Sequence, residues 1–230
     1  MKVYYAKVSP SIKEDTFFAC MGRIEQRRLL KAENIKNEKG KVLSLAAGLL
    51  QHIGLCDYLH LPAKETPAFE TGCGKWGKPY LIQYPDVYFN LSHSGEYVCL
   101  AVAGYEVGVD IQKHQDKAEN IARRFFSGAD NEMLERCKGK ERTERFFRIF
   151  SIRESYIKYT GRGLGQGLGS FDIDWENKSI RDIAVFDVSG ESSGKTVAYF
   201  EESAQVEGYS LCVCTGQKET PVRWELVDLF

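Results

Sequence analysis

The order of sequence patterns along this 230-residue chain predicts an α+β fold built from two similar halves. Short β-rich runs occupy both ends and the middle of the chain, and helical periodicity occupies the two stretches between them. We therefore expect an N-terminal half over residues 1–105 and a C-terminal half over residues 106–230. A chain of this length can bury a sizeable core without disulfides or structural metals.

The first half begins with a strand and continues with helices. Lys2–Val8 alternates between apolar and polar residues, as a strand does. Apolar residues at helical spacing predict a helix over residues 11–36 and a second, buried helix over residues 41–53. Prolines and glycines mark residues 61–79 as a loop.

From Tyr88 to Ile111 the period changes to that of strands, in three short runs separated by the turns SHSGE and GY. Helices are then predicted over residues 118–126, 131–138 and 142–159, the last ending at Gly161. Alternating runs predict further strands from Phe171 onward; these runs are FDIDW, IAVFDV, VAYFEE, YSLCVC and RWELVDL.

The charge of the chain is nearly balanced overall and uneven locally. Its 31 Lys and Arg against 32 Asp and Glu give a net charge of −1, which argues against a nucleic-acid binder. Residues 138–162 nevertheless carry eight basic and three acidic side chains, and residues 21–42 carry seven and three. Two local basic segments in a neutral chain favour a small polyanionic ligand.

The seven cysteines and the hydropathy bear on where the protein works. No cysteine pair has CxxC spacing, so we interpret the thiols as reduced and buried and expect a cytoplasmic protein. No targeting segment is visible, and no apolar run approaches the roughly 20 residues of a membrane span. We expect neither a membrane nor a nucleic acid among its partners.

Two motifs in the second half carry side chains suited to metal binding or proton transfer. Asp110 stands at the end of the apolar run VGVD, where it either reaches a cleft or merely caps a turn. Glu154 and Lys158 are four residues apart on one helix face, among aromatic neighbours that would partly desolvate them. A plain surface ion pair is the alternative interpretation of Glu154 and Lys158.

The first half carries two candidate anion-binding motifs. Ser92 and His93 fall in the predicted turn of NLSHSGEY, which is either a phosphate cradle or a polar hairpin turn. Lys78, held beside Pro79 in GKPYL, could fix an anion or simply be solvated. The glycine run GRGLGQGLG matches no nucleotide-binding motif, and we interpret it as a flexible loop beside a site or a docking surface.

Together, these motifs resemble the 4′-phosphopantetheinyl transferases of the Sfp type. The resemblance rests on the boxes GKPYL, FNLSHSGEYV, VGVDIQ, RRFF and FSIRESYIKYTGRGLG in this order, with Glu154 44 positions after Asp110. It implies two similar α/β halves in a pseudo-twofold arrangement, with the active site between them. It also implies a magnesium-dependent enzyme that transfers the phosphopantetheine arm of coenzyme A to a serine of a carrier protein and releases 3′,5′-ADP.

The resemblance implies a role for each matching residue. Asp110 and Glu154 would bind Mg²⁺, with Gln112 a weak ligand or one acting through water. Lys158 would stabilise charge on the leaving phosphate, and Glu154 would also be the base for the carrier serine. The N-terminal half would hold coenzyme A through seven residues, of which the first three match more loosely: Arg28, Lys31, Ser44, Lys78, Pro79, Ser92 and His93. The C-terminal half would hold the metal and dock the carrier, a protein of fatty-acid, polyketide or nonribosomal-peptide synthesis.

Three positions depart from the family pattern. Gln112 replaces a second acid, Arg153 replaces the usual Lys before Glu154, and Leu43 replaces an Arg, whose adenine contact Lys41 could supply. The alternatives are a non-catalytic relative that binds coenzyme A or a carrier protein, and an unrelated magnesium-dependent phosphohydrolase. We expect a monomer, with the glycine run and residues 113–126 as the docking surface; the cations of that second stretch include Lys113, Lys117, Arg123 and Arg124.

Overall fold

The computed structural model describes residues 1–115, 122, 125–182 and 195–230. These residues form four α-helices, two 3-10 helices and eleven strands. In chain order they are β1 (Lys2–Lys7), a 3-10 helix (Glu14–Arg23), α1 (Gln26–Glu33), α2 (Glu38–Tyr58), β2 (Thr71–Cys73), β3 (Pro79–Leu81), β4 (Tyr88–Ser94), β5 (Tyr97–Ala103), β6 (Val107–Lys113), α3 (Gly128–Glu135), α4 (Gly139–Thr160), a 3-10 helix (Leu164–Gln166), β7 (Phe171–Asp174), β8 (Ser179–Asp182), β9 (Thr196–Ser203), β10 (Tyr209–Thr215) and β11 (Arg223–Leu226). The predicted α+β class is confirmed.

The first compact unit comprises residues 1–105 and 221–230. Its four-stranded sheet has the order β11-β1-β5-β4, and β2 and β3 form a separate hairpin. Helix α2 begins at Asn37, whose side chain accepts a hydrogen bond from the Gly40 amide at 2.6 Å. The helix is apolar on most sides, and it buries Leu49 and Leu50 in one core with Leu100 of β5.

The second compact unit comprises residues 106–220. Its five-stranded antiparallel sheet has the order β6-β10-β9-β8-β7. Helix α4 packs on β6 and β10 and ends at Gly161, whose φ of 66° provides the left-handed C-cap. The residues predicted to act in this half lie on these two elements: Asp110 is on β6, and Glu154 and Lys158 are on α4.

The structure differs from the sequence prediction at two places along the first half. The helix expected over residues 11–36 is divided, because Ile24 and Glu25 have extended backbones. The Glu25 carboxylate accepts hydrogen bonds from the amide and hydroxyl of Thr71, a distant contact that stabilises the break. The loop expected over residues 61–79 contains β2, which pairs with β3 at its end.

The second half also differs in detail. Strand β8 was not predicted, whereas β7 and β11 lie within predicted runs and β9 and β10 extend one residue beyond theirs. Residues 221–230, which the sequence analysis places in the C-terminal half, lie in the first unit, because β11 pairs in parallel with β1. Helix α3 starts three residues earlier than predicted, at Gly128, and the hydroxyl of its N-cap residue Ser127 accepts a hydrogen bond from the Asp130 amide at 3.3 Å. The predicted helix over residues 118–126 and the run IAVFDV lie largely outside the described residues.

None of the helices in the described part of the chain is long and apolar enough to cross a membrane.

Candidate active site

Asp110 is the centre of a charged cluster inside the second unit. It lies within β6 rather than at its end, because the strand continues to Lys113, and only 1% of the residue is exposed. The ammonium of Lys158 contacts Asp110 Oδ1 at 2.6 Å, and Gln112 Nε2 donates to Asp110 Oδ2 at 2.9 Å. The two predicted motifs are therefore in contact, although Asp110 and Lys158 are 48 positions apart in the chain.

Glu154 is the second acid of this cluster. Burial raises the pKa of its carboxyl, the negative charge of Asp110 raises it further, and Lys158 opposes both effects. A carboxylate with a raised pKa is a better proton acceptor than an exposed one. The predicted association of Asp110, Glu154 and Lys158 in one place is thus present in the second unit.

Small side chains bring α4 close to β6. A Cβ at Gly108 would lie 2.1 Å from the carbonyl oxygen of Ser155 and 2.3 Å from the amide nitrogen of Tyr159. The Ser151 hydroxyl donates to the Asp110 carbonyl at 3.1 Å and approaches that of Ser210 at 3.4 Å. This close packing of α4 on β6 fixes the position of Asp110 relative to the helix that carries Glu154 and Lys158.

A metal ion at this cluster would find few protein ligands. Within residues 1–115, 122, 125–182 and 195–230, no group of three or more His, Cys, Asp or Glu side chains is placed to hold one. Asp110 and Glu154 supply two hard carboxylate ligands, and both oxygens of Asp110 already accept hydrogen bonds from the chain. Two carboxylates suit Mg²⁺ when phosphates and waters complete its octahedron, so the residues fit that ion only with a phosphorylated substrate present.

The first unit holds a cationic cavity of about 290 Å³. Four of the predicted coenzyme A contacts line it, namely Arg28, Lys31, Pro79 and His93. Arg27 and Asn90 also line the cavity and were not predicted as contacts. Arg27 belongs to the basic pair with Arg28, and Asn90 to the box FNLSHS. The remaining predicted contacts, Ser44, Lys78 and Ser92, are not among its lining residues.

Arg28 is the most deeply placed cation of this cavity. Burial lowers the pKa of its guanidinium, against the opposing charge of Glu25, and its Nε has no hydrogen-bond partner among the described residues. Its side chain crosses α2 at Gly48, where a Cβ would lie 2.6 Å from Arg28 Cδ. A buried donor without a partner is costly, and an anionic ligand in the cavity would relieve that cost.

Ser92 and His93 are not in a turn, as the sequence analysis expected. They belong to β4 and pair with Cys99 and Val98 of β5, and the chain turns only at Gly95, with φ of 61°. The side chains of a strand alternate between its two faces. Ser92 is buried accordingly, whereas His93 lines the cavity.

The structure shows where the departures from the family pattern lie. Leu43 is buried in α2, and Lys41 forms an ion pair with Glu14 at 3.0 Å, so Lys41 is engaged away from the cavity. Arg153 points into the interior of the second unit and is fully buried. A larger cavity of about 630 Å³ beside His114 includes none of the predicted site residues.

The chain is similar to one family of known proteins. Residues 106–214 match the model of the 4′-phosphopantetheinyl transferase superfamily. The Bacillus subtilis 4′-phosphopantetheinyl transferase Sfp is 31% identical over 147 residues, which cover 64% of this chain and 63% of that one. The chain thus matches slightly less than two thirds of the length of the first such relatives.

One further relative and one solved structure are also similar to parts of the chain. The 4′-phosphopantetheinyl transferase gsp of Aneurinibacillus migulanus is 26% identical over 94% of this chain and 86% of its own. The crystal structure of the Thermotoga maritima holo-[acyl-carrier-protein] synthase superposes on 50% of this chain and 64% of its own, with a TM-score of 0.34 and 19% identity, a likeness too slight to bear on the fold. The family resemblance predicted from the sequence boxes is confirmed by the family model and the transferase relatives.

Proposed function

Residues 106–214 belong to the 4′-phosphopantetheinyl transferase superfamily, and from that premise we propose that this protein transfers the 4′-phosphopantetheine arm of coenzyme A to a serine of a carrier protein. The reaction releases 3′,5′-ADP and depends on Mg²⁺. The observation that carries the proposal is the cluster of Asp110, Glu154 and Lys158, which all fall within the matched residues.

The protein groups of this cluster suit attack by a serine hydroxyl on a phosphate. The raised pKa of Glu154 makes its carboxylate an acceptor for the serine proton, directly or through a water. The Lys158 ammonium, now paired with Asp110, is placed to neutralise charge that builds on the leaving phosphate. Such a transfer needs positioning and charge neutralisation more than covalent catalysis by the protein.

Asp110 and Glu154 would hold the Mg²⁺, with Gln112 contributing weakly or through water. When bound, the ion would neutralise the pyrophosphate and polarise the phosphate that is attacked. Gln112 keeps a role without the metal, because its amide holds the second oxygen of Asp110 at 2.9 Å.

The cationic cavity of the first unit suits the nucleotide end of coenzyme A. Arg27, Arg28, Lys31 and His93 all line it, and the buried Nε of Arg28 offers an unused donor. Phosphate groups are recognised by such convergent guanidinium and ammonium groups. Lys78, Ser92 and Ser44 remain predicted contacts of the same ligand.

The partner and setting belong to the proposal as well. The acceptor is an acyl or peptidyl carrier protein of fatty-acid, polyketide or nonribosomal-peptide synthesis. A cytoplasmic location, a monomeric state and the absence of nucleic acid among its partners remain predictions from the sequence.

One experiment tests the transfer directly. Apo-carrier proteins of the three pathway classes are incubated with the protein, coenzyme A and Mg²⁺, and each carrier is weighed by mass spectrometry. A gain of one phosphopantetheine on at least one carrier is expected, together with release of 3′,5′-ADP. Binding of coenzyme A without any gain on all carriers would overturn the proposal in favour of a non-catalytic binding relative, and hydrolysis of coenzyme A without transfer would indicate a phosphohydrolase.

A further inference from the structure

Arg153 immediately precedes Glu154 in α4, yet its side chain is fully buried, with 0% exposure. All five of its N–H donors have acceptors. Nε donates to Asp130 Oδ2 at 2.7 Å, and Nη2 donates to Asp130 and, at 3.1 Å, to Ser127 Oγ. Nη1 donates to the backbone carbonyls of Leu168 and of Phe171, the latter at 2.8 Å.

The glycine-rich segment is defined here as residues 161–170. The Leu168 acceptor lies near its C-terminal end, and the Phe171 acceptor immediately follows it. A second tie joins the segment to the end of the same helix, because the Thr160 hydroxyl donates to Gln166 Oε1 at 2.6 Å. Within the segment, Gly163 and Gly167 have φ of 68° and 80°, in the left-handed region that glycine tolerates. The segment that the sequence suggested to be a flexible loop is thus anchored to α4 at two points.

The charge and position of the glycine-rich segment indicate what kind of partner it binds. It begins three residues after Lys158, so it borders the reacting end of the proposed site. The exposed Arg162 is its only charge, and no acidic residue occurs between Ser155 and Phe171. A cationic, main-chain-rich surface of this kind complements a partner with acidic residues around the accepting serine.

We propose that Arg153 is a positioning residue that holds the glycine-rich segment in the shape that binds the carrier protein. This inference rests on the proposed function for the identity of the partner. A lysine at this position could keep the pair with Asp130, but its single ammonium has three donors and cannot reach both carbonyls in the planar geometry of a guanidinium. The segment would then be released while the charge is kept.

The test compares the wild type with Arg153→Lys and with Arg148→Lys as a matched control. Arg148 is also on α4 and also paired, but its guanidinium donates to Glu202, at 2.9 and 2.7 Å, and lies over the Trp175 ring, and both of these partners are outside the glycine-rich segment. The first readout is limited trypsin cleavage after Arg162, followed by mass spectrometry, which needs no substrate. We expect Arg153→Lys to speed this cut by about tenfold relative to other sites, and the control to leave it unchanged.

The second readout separates binding from chemistry. In Arg153→Lys we expect the KM for the carrier protein to rise by about tenfold while kcat and the KM for coenzyme A change by less than about twofold. A protein that is merely destabilised would lose active fraction and therefore kcat. If Arg153→Lys does not fold, Gln166→Ala removes the other tie and should show the same two effects in smaller degree.

The outcomes are distinct. An unchanged rate of cleavage after Arg162 in a folded variant overturns the anchoring role, whatever the carrier does. Faster cleavage with an unchanged KM for the carrier overturns the role in carrier binding. Failure of the wild type to modify any carrier overturns the proposed function instead, and the cleavage comparison still decides whether Arg153 anchors the segment.

Discussion

The ammonium of Lys158 lies 2.6 Å from Asp110 Oδ1, so the lysine of α4 and the aspartate of β6 form a half-buried ion pair in the second unit. Lys158 is 26% exposed and Asp110 only 1%. The pair compensates a carboxylate that burial would otherwise disfavour. It also means that a phosphate or a cation entering the cluster must compete with a contact that is already made.

Glu154→Gln should abolish transfer and leave the protein folded. The amide cannot accept the serine proton, and proton transfer by a positioned side chain contributes about 10²–10⁴-fold to a rate. Because burial and the charge of Asp110 both disfavour the ionised glutamate, the substitution should not lower the melting temperature. Carrier mass and thermal unfolding measure the two effects, and a rate like that of the wild type would refute the assignment of Glu154.

Gln112→Glu should sharpen the response to Mg²⁺. It replaces a hydrogen bond to Asp110 Oδ2 with a third carboxylate, so like charges repel until a cation binds. We expect a lower melting temperature without Mg²⁺, a larger rise when the ion is added, and a lower Mg²⁺ concentration for half-maximal rate. Gln112→Ala is the control that removes the bond without adding charge, and an equal Mg²⁺ response in both variants would contradict the prediction.

Gly108→Ala should destabilise the second unit. The new Cβ would lie 2.1 Å from the Ser155 carbonyl, and overpacking of this kind typically costs about 1–3 kcal/mol or more. Transfer should fall as well, because α4 carries Glu154 and Lys158 and would be displaced from Asp110. Gly128→Ala is a matched control, since its Cβ would meet no atom of the described residues within 4 Å, apart from its chain neighbours and its own helix backbone. Denaturant unfolding measures the difference in stability between the two variants. Equal stabilities would contradict the close packing of α4 on β6 at Gly108.

Gly48→Ala should weaken binding of coenzyme A without altering the catalytic cluster. Its Cβ would lie 2.6 Å from Arg28 Cδ and 2.7 Å from Ile24 Cγ2, so the Arg28 side chain must move. We expect the Kd for 3′,5′-ADP, measured by calorimetry, to rise about tenfold, in the range for loss of a hydrogen bond to a charged group. Gly22→Ala, whose Cβ would meet nothing within 4 Å, should bind like the wild type. An unchanged Kd for Gly48→Ala would contradict the proposal that this cavity binds the nucleotide end of coenzyme A.

His52 should make the first unit sensitive to acid. Burial is the main cause that lowers the pKa of its imidazole, and the charge of Arg23 adds to it; the hydrogen bond to the Ala63 carbonyl at 2.8 Å opposes them. The unfolded chain therefore takes up a proton first, so this contribution to stability is complete above about pH 6.5 and declines as the pH falls below it.

Comparison with His52→Gln isolates this effect, because His114, whose pKa burial also lowers, is present in both proteins. The amide of glutamine can still donate to a carbonyl but does not titrate in this range. Denaturant unfolding at about pH 7.5 and about pH 5.5 should show a smaller loss of stability in the variant. Equal losses in the two proteins would exclude His52 as the cause.

The sequence alone was sufficient for the α+β class, the long helices and the motif-bearing strands. The signals for these elements are local, because α2 and β5 are nearly continuous apolar runs and α4 has apolar residues at helical spacing. The division of the predicted helix over residues 11–36 could not be read in this way. It depends on Glu25 and on the distant Thr71, a contact between residues that are 46 positions apart.

The candidate site, like the fold, was predictable from the sequence only in part. Residue types and their spacing by themselves determined which side chains could carry the chemistry, because a carboxylate, an ammonium or a guanidinium has its charge wherever it lies. Only the tertiary structure decided their partners: Lys158 pairs with Asp110, Arg153 turns inward to Asp130, Lys41 pairs with Glu14, and β11 joins the first unit. Each of these depends on packing between elements far apart in the chain, and local spacing carries no information about which distant surfaces will meet.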